Sequence, residues 1–373
     1  MKRPLNPFLI SGYQGSVYFC DREEETKSIL SAIENGRNLT LMSLRRMGKT
    51  GLIKHAFQQI KTKKINLIYI DLLHSTDLAS MVKEFAKATI NQLSMGVMKT
   101  SLQKIASLFS SIHPTFTIDP LSGAPSVDFD IHKAKQGLKT LEDIFTLLEN
   151  HAVHSIVAFD EFQMITSYPE KNIEAILRGH IQHLNNVNFI YSGSQKHILS
   201  GMFGDAKRPF YQSAQFLGLE PIHTKEYSAF INNHFKNAGI EIAKKDVEFI
   251  LDWTYHHTFY VQYFCNHLFD LKMNDPMATI FHAVDKIFQE NESVFTNYRS
   301  LLTSQQLNLL TSIAKEGWVV QPTSKYFLSK YRLTSSTVQR SLPALIKKEF
   351  LTQEKNGYRV YDVFLGRWLA EKF

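Results

Sequence analysis

Short apolar runs alternate with helical patterns through the first two-thirds of the chain. The runs are of strand length and almost continuously hydrophobic: NLTLMS (38–43), INLIYIDL (65–72), SIVAF (155–159), VNFIYSGS (187–194) and AQFLGLEPI (214–222). Continuous runs of this kind are typical of strands buried on both faces, and the helical spacing between most of them indicates crossover helices. The alternation predicts an α/β fold built on a parallel sheet.

The pattern becomes helical after residue 223 and changes again near residue 300. Segments such as KKDVEFILDWTY predict a helical domain over residues 224–299. Residues 300–373 predict three helices and then a β-hairpin with Asn356-Gly357 at its turn, which together are typical of a winged helix. Pro343 is expected to interrupt the third of these helices, because proline lacks a backbone donor.

The chain of 373 residues therefore divides into three predicted domains, 1–223, 224–299 and 300–373. The first contains an excursion near residues 110–132, in which alternating TFTID and SVDFDI flank Pro120–Pro125. This alternation predicts a β-hairpin insertion. The hairpin is either an arm that contacts a partner or a decoration of the domain.

One candidate phosphate-binding loop lies between the first predicted strand and a helical pattern. It ends in the last three letters of G-x-x-x-x-G-K-[ST], but serine stands where the first glycine belongs. Backbone N–H groups and the helix dipole favour phosphate in this setting. The residues predicted to bind nucleotide are Ser43, Arg45, Arg46, Met47, Gly48, Lys49, Thr50 and Gly51.

Within this loop, Lys49 is expected to reach the β- and γ-phosphates, and the Thr50 hydroxyl to ligate Mg²⁺. Arg45 and Arg46 face either phosphate or a neighbouring carboxylate. Serine adopts many turn geometries at modest cost, so Ser43 weakens the motif without removing it.

The run HSIVAFDEFQMI supplies the acidic residues that such a loop needs. Asp160 ends the predicted strand and is expected to hold Mg²⁺, while Glu161 orients or deprotonates the attacking water. Ligands of open α/β sheets gather at the carboxyl ends of strands, which brings Asp71 and Ser192–Gln195 to the same edge. Ser194 or Gln195 is a candidate sensor of the γ-phosphate, or the segment is an ordinary turn.

Further motifs occur in a fixed order along the chain: YFCDREEE (18–25), RRMGKT (45–50), DEFQ (160–163), GS (193–194), RPFY (208–211) and YRVYDVFLGRWL (358–369). In this order they resemble the AAA+-like STAND P-loop ATPases of the archaeal- and Bacteroidetes-type ATPase family. The resemblance covers nearly the whole chain.

This resemblance implies an ATP-binding core, a helical lid and a winged helix, with ATP or ADP and Mg²⁺ as cofactors. It implies that Phe19 and Arg22 lie near the adenine. The lid segment YHHTFYVQ (255–262) departs from the family, because His256-His257-Thr258 stands where many STAND proteins have Gly-x-Pro. Adjacent histidines point to different faces, so this pair does not predict a metal site.

Most of the net positive charge of the chain lies near its C-terminus. The net charge is +7, and residues 300–373 hold 11 Lys/Arg against 5 Asp/Glu. A basic module on a near-neutral body indicates nucleic acid, an acidic partner or simply a solvated face. The chain has two cysteines without a CxxC pair, no long apolar run and no signal-peptide pattern, so a cytoplasmic protein without a membrane span is expected.

Two functions remain at this point. The first is a Mg-dependent ATPase that hydrolyses slowly and acts as a nucleotide-controlled switch, with Arg208 or Arg178 as the transition-state arginine, in the same chain or from a neighbouring copy in a homo-oligomer. The second is a DNA-binding regulator whose nucleotide domain binds ATP without turning it over. The winged helix takes DNA or a protein in either case. A nuclease is not favoured, because no Asp/Glu-x-Lys cluster is evident.

Overall fold

The computed structural model describes residues 6–60, 65–93, 114–118, 125–129, 134–354 and 357–373. The chain forms two compact units. One is Gly12–Glu220, and the other combines the start of the chain up to Ser11 with Pro221–Phe373. Among the described helices, none combines the length and the apolar composition that crossing a membrane would require.

The first unit is built on a five-stranded parallel sheet with the strand order β2-β5-β6-β1-β7. This confirms the predicted α/β fold. The fifth strand is shorter than its apolar run. The strands are β1 (Leu39–Met42), β2 (Ile65–Asp71), β5 (His154–Asp160), β6 (Val187–Gly193) and β7 (Gln215–Gly218).

Helices connect these strands in sequence order. They are α1 (Glu23–Glu34), α2 (Lys49–Gln59), α3 (Leu78–Leu93), α4 (Ala134–Glu149), α5 (Ile173–Ile181) and α6 (Lys196–Gly204), with short 3₁₀ helices at Ser16–Tyr18 and Phe162–Ser167. Between α3 and α4, β3 (Pro114–Ile118) pairs antiparallel with β4 (Pro125–Phe129). The other residues of the predicted hairpin insertion lie outside the described residues.

The centre of the sheet carries the core. All seven residues of β6, and six of the seven in β5, are buried, which explains why both strands are nearly continuous apolar runs. One face is dominated by aromatic rings in mutual contact, namely Phe159, Phe162, Phe189, Tyr191, Phe203 and Phe210. A separate apolar cluster packs α1 and α2 against β1. The two clusters fix both helix layers against the sheet.

The second unit begins with four helices, α7 (Thr224–Asn237), α8 (Lys244–Trp253), α9 (Thr258–Asn274) and α10 (Ile280–Ser300). Three helices follow, α11 (Ser304–Glu316), α12 (Lys325–Tyr331) and α13 (Ser335–Lys347). The antiparallel pair β8 (Leu351–Glu354) and β9 (Gly357–Val360) and the final helix α14 (Val363–Lys372) complete it. This is the order of a winged helix. Asn356, at the predicted turn, lies outside the described residues.

The expectation that Pro343 interrupts the third helix is wrong. Helix α13 runs without a break from Ser335 to Lys347, with Pro343 inside it and exposed. The helix is held by its amphipathic packing, since Val338 and Leu345 are buried. Packing of that face offsets the missing backbone donor of the proline.

A cluster of stacked side chains joins α8 to the winged helix inside the second unit. The guanidinium of Arg359 lies 4.7 Å from the Trp318 ring centroid and 5.2 Å from that of Tyr255, and it pairs with Glu354 at 3.0 Å. The guanidinium of Arg367 lies 4.5 Å from the centroid of the same Tyr255 ring. We call these residues the Tyr255 clamp. It ties the end of α8 to β9 and α14.

Candidate functional site

The candidate phosphate loop connects β1 to α2, as the sequence predicts. Gly48 precedes α2 with φ 95°, a left-handed conformation that glycine adopts without strain. Ser43 is fully buried and is not among the described residues with positive φ. Serine at the first glycine position therefore imposes no left-handed strain on the loop.

Lys49 is enclosed by this loop. Its side chain is only 5% exposed, and its Nζ donates to the Leu44 carbonyl at 3.1 Å, with longer contacts of 3.5 Å to Ser43. Burial lowers the pKa of the Lys49 ammonium, while Glu161 and Asp160 oppose that shift. A buried ammonium with three donors and mostly long contacts suits an anion that would approach the loop.

Asp160 is the hub of the site. Its Oδ2 accepts from the Thr50 hydroxyl at 2.5 Å and from the Tyr69 hydroxyl at 2.7 Å. Its Oδ1 accepts from the Glu161 backbone N–H at 3.1 Å. The structure thus brings together the two residues that the sequence predicts as Mg²⁺ ligands.

Tyr69 is a site residue that sequence reasoning missed. It lies on β2, which pairs with β5 so that Tyr69 stands opposite Ala158 and Asp71 opposite Asp160. Burial, followed by the nearby Asp160 carboxylate, raises the pKa of Tyr69 well above its ordinary value. The tyrosine therefore stays protonated and acts as a hydrogen-bond donor. The only sequence feature that pointed to Tyr69 was its place in an apolar run that ends in aspartate.

Glu161 is held beside Ser194, as the carboxyl-end rule predicts. One oxygen, Oε2, accepts from Ser194 Oγ at 2.8 Å and from Ser194 N at 3.3 Å. The same oxygen accepts from the Gln163 side-chain amide at 2.5 Å. Gln163 is the second residue that sequence reasoning missed, although it is part of the DEFQ motif.

The residues predicted for the adenine side lie next to the loop helix. The Phe19 ring stacks on His55 with centroids 4.3 Å apart, and it lies 3.4 Å from where a Cβ on Gly51 would be. The Tyr13 hydroxyl bonds the His55 ring at 2.8 Å. Phe19 thus forms an aromatic platform against α2.

Arg22 serves an internal contact. It is 4% exposed, and its Nη1 donates to Glu25 and to the Glu220 carbonyl, each at 2.7 Å. Its Nη2 has no partner among the described residues. These contacts hold α1 to the end of the sheet domain and leave one buried donor to be satisfied.

The candidate transition-state arginines are not joined to this cluster by any described hydrogen bond or ion pair. The Arg208 guanidinium makes a two-point ion pair with Glu174, with the Nε contact at 3.0 Å. Both residues line a cavity of about 380 Å³ that also includes Tyr168. Arg178 lies in the last turn of α5.

The remaining predicted residues occupy the loop and its surroundings. Arg45 and Arg46 are exposed, and Arg46 has φ 61°. Met47 is buried at 4%. The Asp71 carboxylate accepts from the Leu73 N–H at 2.9 Å and so shapes its own turn. Gln195 precedes α6 directly after Ser194.

The lid segment adopts an unusual backbone. Tyr255 and His256 have φ of 54° and 55°, and His257 precedes α9. His256 Nδ1 lies 3.2 Å from the Ile222 carbonyl. His256 takes this left-handed conformation at the position where many STAND proteins have glycine, which adopts it at no steric cost.

The donor set fits Mg²⁺ bound together with a nucleotide. A hydroxyl and a carboxylate, Thr50 and Asp160, are hard oxygen ligands that leave positions for phosphate and water. The described residues contain no group of three or more His, Cys, Asp or Glu side chains that would hold a metal without a nucleotide.

The comparison with protein families decides the class. A family model described as an ATPase domain predominantly from Archaea matches residues 19–257. The chain belongs to this ATPase family. A second model, described as a probable winged helix domain, matches residues 293–371. No curated protein matches the chain.

Solved structures show the same fold. The Walker-type ATPase PABY2304 of Pyrococcus abyssi superposes with a TM-score of 0.66 at 18% identity. The match covers 97% of this chain and 99% of that one. The ORC2 protein of Aeropyrum pernix, solved as ADPNP–ADP complexes, has a TM-score of 0.59 at 16% identity, with 99% of this chain and 96% of its own covered. ORC1 of the same organism, solved with DNA, has a TM-score of 0.54 at 11% identity, with 99% and 97% covered.

The two tyrosines of the sheet give a matched test of the Asp160 hub. Tyr69→Phe should lower the free energy of unfolding by about 1–2 kcal/mol, because Asp160 loses a donor while the ring stays in place. Tyr191→Phe should cost nothing or stabilise the protein slightly, because the buried Tyr191 hydroxyl has no partner among the described residues. Denaturant unfolding without nucleotide measures both. Equal losses in the two variants would contradict the assignment.

Proposed function

We propose that this ATPase-family chain is a Mg-dependent ATPase that hydrolyses ATP slowly and acts as a nucleotide-controlled switch. The observation that carries the proposal is the hydrogen bond from Thr50 to Asp160, with Glu161 directly after Asp160. The hydroxyl of the phosphate loop and the strand-end carboxylate are hydrogen-bonded to each other, so a cation bound beside this pair would have both oxygens within reach. The ADPNP–ADP complexes of the A. pernix ORC2 protein support a nucleotide as the ligand.

Each residue then has one task. Lys49 binds the β- and γ-phosphates through its buried ammonium, and the backbone of residues 43–50 surrounds them. Thr50 and Asp160 would hold Mg²⁺, which when bound supplies positive charge against the transferring phosphoryl group. Glu161 accepts a proton from the attacking water. Ser194 is our candidate for detecting the γ-phosphate. Phe19 packs on the base side, with Arg22 behind it.

Arg208 remains our candidate for the transition-state arginine, with Arg178 as the alternative. The ion pair between Arg208 and Glu174 has to open before the guanidinium can act on phosphate. A closed pair slows turnover, which agrees with a switch rather than a fast enzyme. The arginine acts in the same chain or on a neighbouring copy, so homo-oligomer formation is part of this proposal.

The switch itself would act through the second unit. We assign residues 1–223 to the nucleotide domain with its hairpin near 110–132, 224–299 to a helical lid and 300–373 to the winged helix. The Tyr255 clamp fastens the lid to the winged helix, so the two should respond to nucleotide together. We place this activity in the cytoplasm, because neither Cys20 nor Cys265 forms a disulfide.

Lys49→Ala should reduce ATP affinity by about 10- to 100-fold, because a charge-assisted contact to phosphate is lost. The melting temperature should stay close to the original value, since the ammonium makes mostly long contacts in the loop. Isothermal titration calorimetry measures the affinity. Lys244→Ala is the matched control, because it also removes one ammonium and Lys244 is exposed on α8 of the second unit. Unchanged affinity in Lys49→Ala would overturn the proposed site.

Glu161→Gln should keep Mg-ATP binding but slow hydrolysis by about 100-fold or more, since an amide cannot accept a proton from water. Asp160→Asn should instead weaken Mg²⁺-dependent binding. Phosphate release and calorimetry separate the two effects. If wild type and Glu161→Gln release phosphate at the same rate, the chain is not the ATPase proposed here.

DNA is the second candidate ligand, for a regulator that binds ATP without hydrolysing it. Ser336, Gln339, Arg340 and Lys347 are all exposed on α13, and the A. pernix ORC1 protein was solved with DNA. Against it, three basic side chains of the winged helix are already engaged in contacts within the protein. Arg359 and Arg367 belong to the Tyr255 clamp, and Arg340 donates to Gln305. A protein partner therefore remains our preferred ligand of the winged helix.

If α13 binds DNA, replacing Arg340 and Lys347 together by alanine should flatten the log–log salt dependence by about 1.8, or about 0.9 for each phosphate contact. Replacing the exposed Lys244 and Lys245 of α8 changes the charge equally and should leave the slope unchanged. Fluorescence anisotropy with a random duplex at low salt, with ATP or ADP, measures this. No binding in either nucleotide state removes DNA and leaves the protein partner.

A further inference from the structure

The hydrogen bonds that the Glu161 carboxylate accepts from the described residues all go to one of its two oxygens. Three donors converge on Oε2, namely the Gln163 amide, Ser194 Oγ and Ser194 N. No described residue donates a hydrogen bond to the other oxygen, Oε1. The carboxylate is therefore fixed through one oxygen and open at the other, which is the arrangement that a base needs in order to take a proton in a defined direction.

The backbone alone would not hold the carboxylate in this way. Glu161 has φ 53°, a left-handed conformation that side chains other than glycine adopt at a cost. Such a conformation persists where surrounding contacts fix it. The Gln163 amide is the shortest of these contacts, and it comes from the same 3₁₀ turn that begins directly after Glu161.

The position of Gln163 carries an energetic cost, because it buries a polar atom that bonds to none of the described residues. Its side chain is 3% exposed, and its Oε1 has no hydrogen-bond partner among the described residues. A carboxylate only accepts, so the amide nitrogen must face Glu161 and the amide oxygen must face away. That oxygen lies against Gly193, where an added Cβ would come within 2.0 Å of it. A buried, half-satisfied amide calls for a reason beyond packing.

We propose that Gln163 is a positioning residue for Glu161: its amide holds Oε2 against Ser194 so that Oε1 is presented to the attacking water. Gly193 makes room for this amide. The inference rests on the proposed function, since it assigns a task within the same hydrolysis site. It predicts that Gln163 affects turnover and leaves nucleotide binding alone.

Gln163→Met tests the assignment, because methionine keeps the length and apolar packing of the side chain and removes the donor. Its kcat should fall about tenfold, as expected for one hydrogen bond, with the Kd for ATP within about twofold of wild type. Thr166→Val is the matched control. It removes the hydrogen bond to the Gln163 backbone carbonyl without touching Glu161, and it should leave kcat unchanged.

A double variant separates positioning from general damage. If Gln163 acts only through Glu161, adding Gln163→Met to Glu161→Gln should change kcat by less than about twofold. An independent tenfold loss in that background would make Gln163 a structural residue and overturn the inference. So would a wild-type kcat in Gln163→Met, or an affinity loss as large as the kcat loss.

Gln163→Glu gives a second readout that does not depend on the first variant folding. An ionised carboxylate at this position cannot donate to Glu161 and repels it, so kcat should fall at least as far as in Gln163→Met. A wild-type kcat in Gln163→Glu contradicts positioning by Gln163.

These outcomes are distinct from failure of the proposed function. If wild type and Glu161→Gln release phosphate equally, the ATPase proposal and the role of Gln163 both fall. If Glu161→Gln is slow while Gln163→Met matches wild type, only the positioning role falls.

Discussion

The hydrogen bond from Thr50 to Asp160 is the contact on which the site depends. It joins the start of α2, the helix that follows β1, to the end of β5. In the sheet, β6 separates β1 from β5. Asp160 is 3% exposed, so its charge has to be met by donors inside the protein. Thr50, Tyr69 and the Glu161 N–H meet it. Thr50, one of the donors that stabilise the buried carboxylate, therefore also holds the phosphate loop against the strand that carries the catalytic candidates.

Much of this arrangement was predictable, because a parallel sheet leaves strong marks on a sequence. Central strands β5 and β6 are buried on both faces, so they appear as apolar runs, and the residues after such runs meet at one edge. This is enough to bring Asp160, Glu161 and Ser194 together. The sequence also predicted the lid helices and the winged helix by their period and turn residues.

What the sequence could not predict depends on register and on single backbone angles. Tyr69 reaches Asp160 because β2 pairs with β5 in one particular register, and a shift of one residue would turn its side chain to the other face. Gln163 reaches Glu161 because Glu161 takes a left-handed φ, which no local preference of glutamate predicts. The pairing of Arg208 with Glu174 joins a turn after α6 to the first turn of α5, 34 residues away in sequence. The continuity of α13 through Pro343 is decided by packing, which outweighs local propensity.

The basic C-terminal module shows why net charge is a weak guide to ligands. Arg359 is 5% exposed and lies between the rings of Trp318 and Tyr255. Arg367 lies against the same Tyr255 ring and donates to the Trp253 carbonyl at 2.9 Å. Guanidinium groups are suited to this role, because they stack on rings and stay charged when partly buried. Their charge counts toward the total but is turned inward. The clamp holds Tyr255 in a left-handed conformation directly before His256. The positive φ angles of residues 255–256 and the stacking of the two arginines therefore belong to the same cluster of contacts. In the proposed switch, a winged helix bound to residues 224–299 in this way is better suited to report the state of that domain than to act as an independent DNA-binding domain.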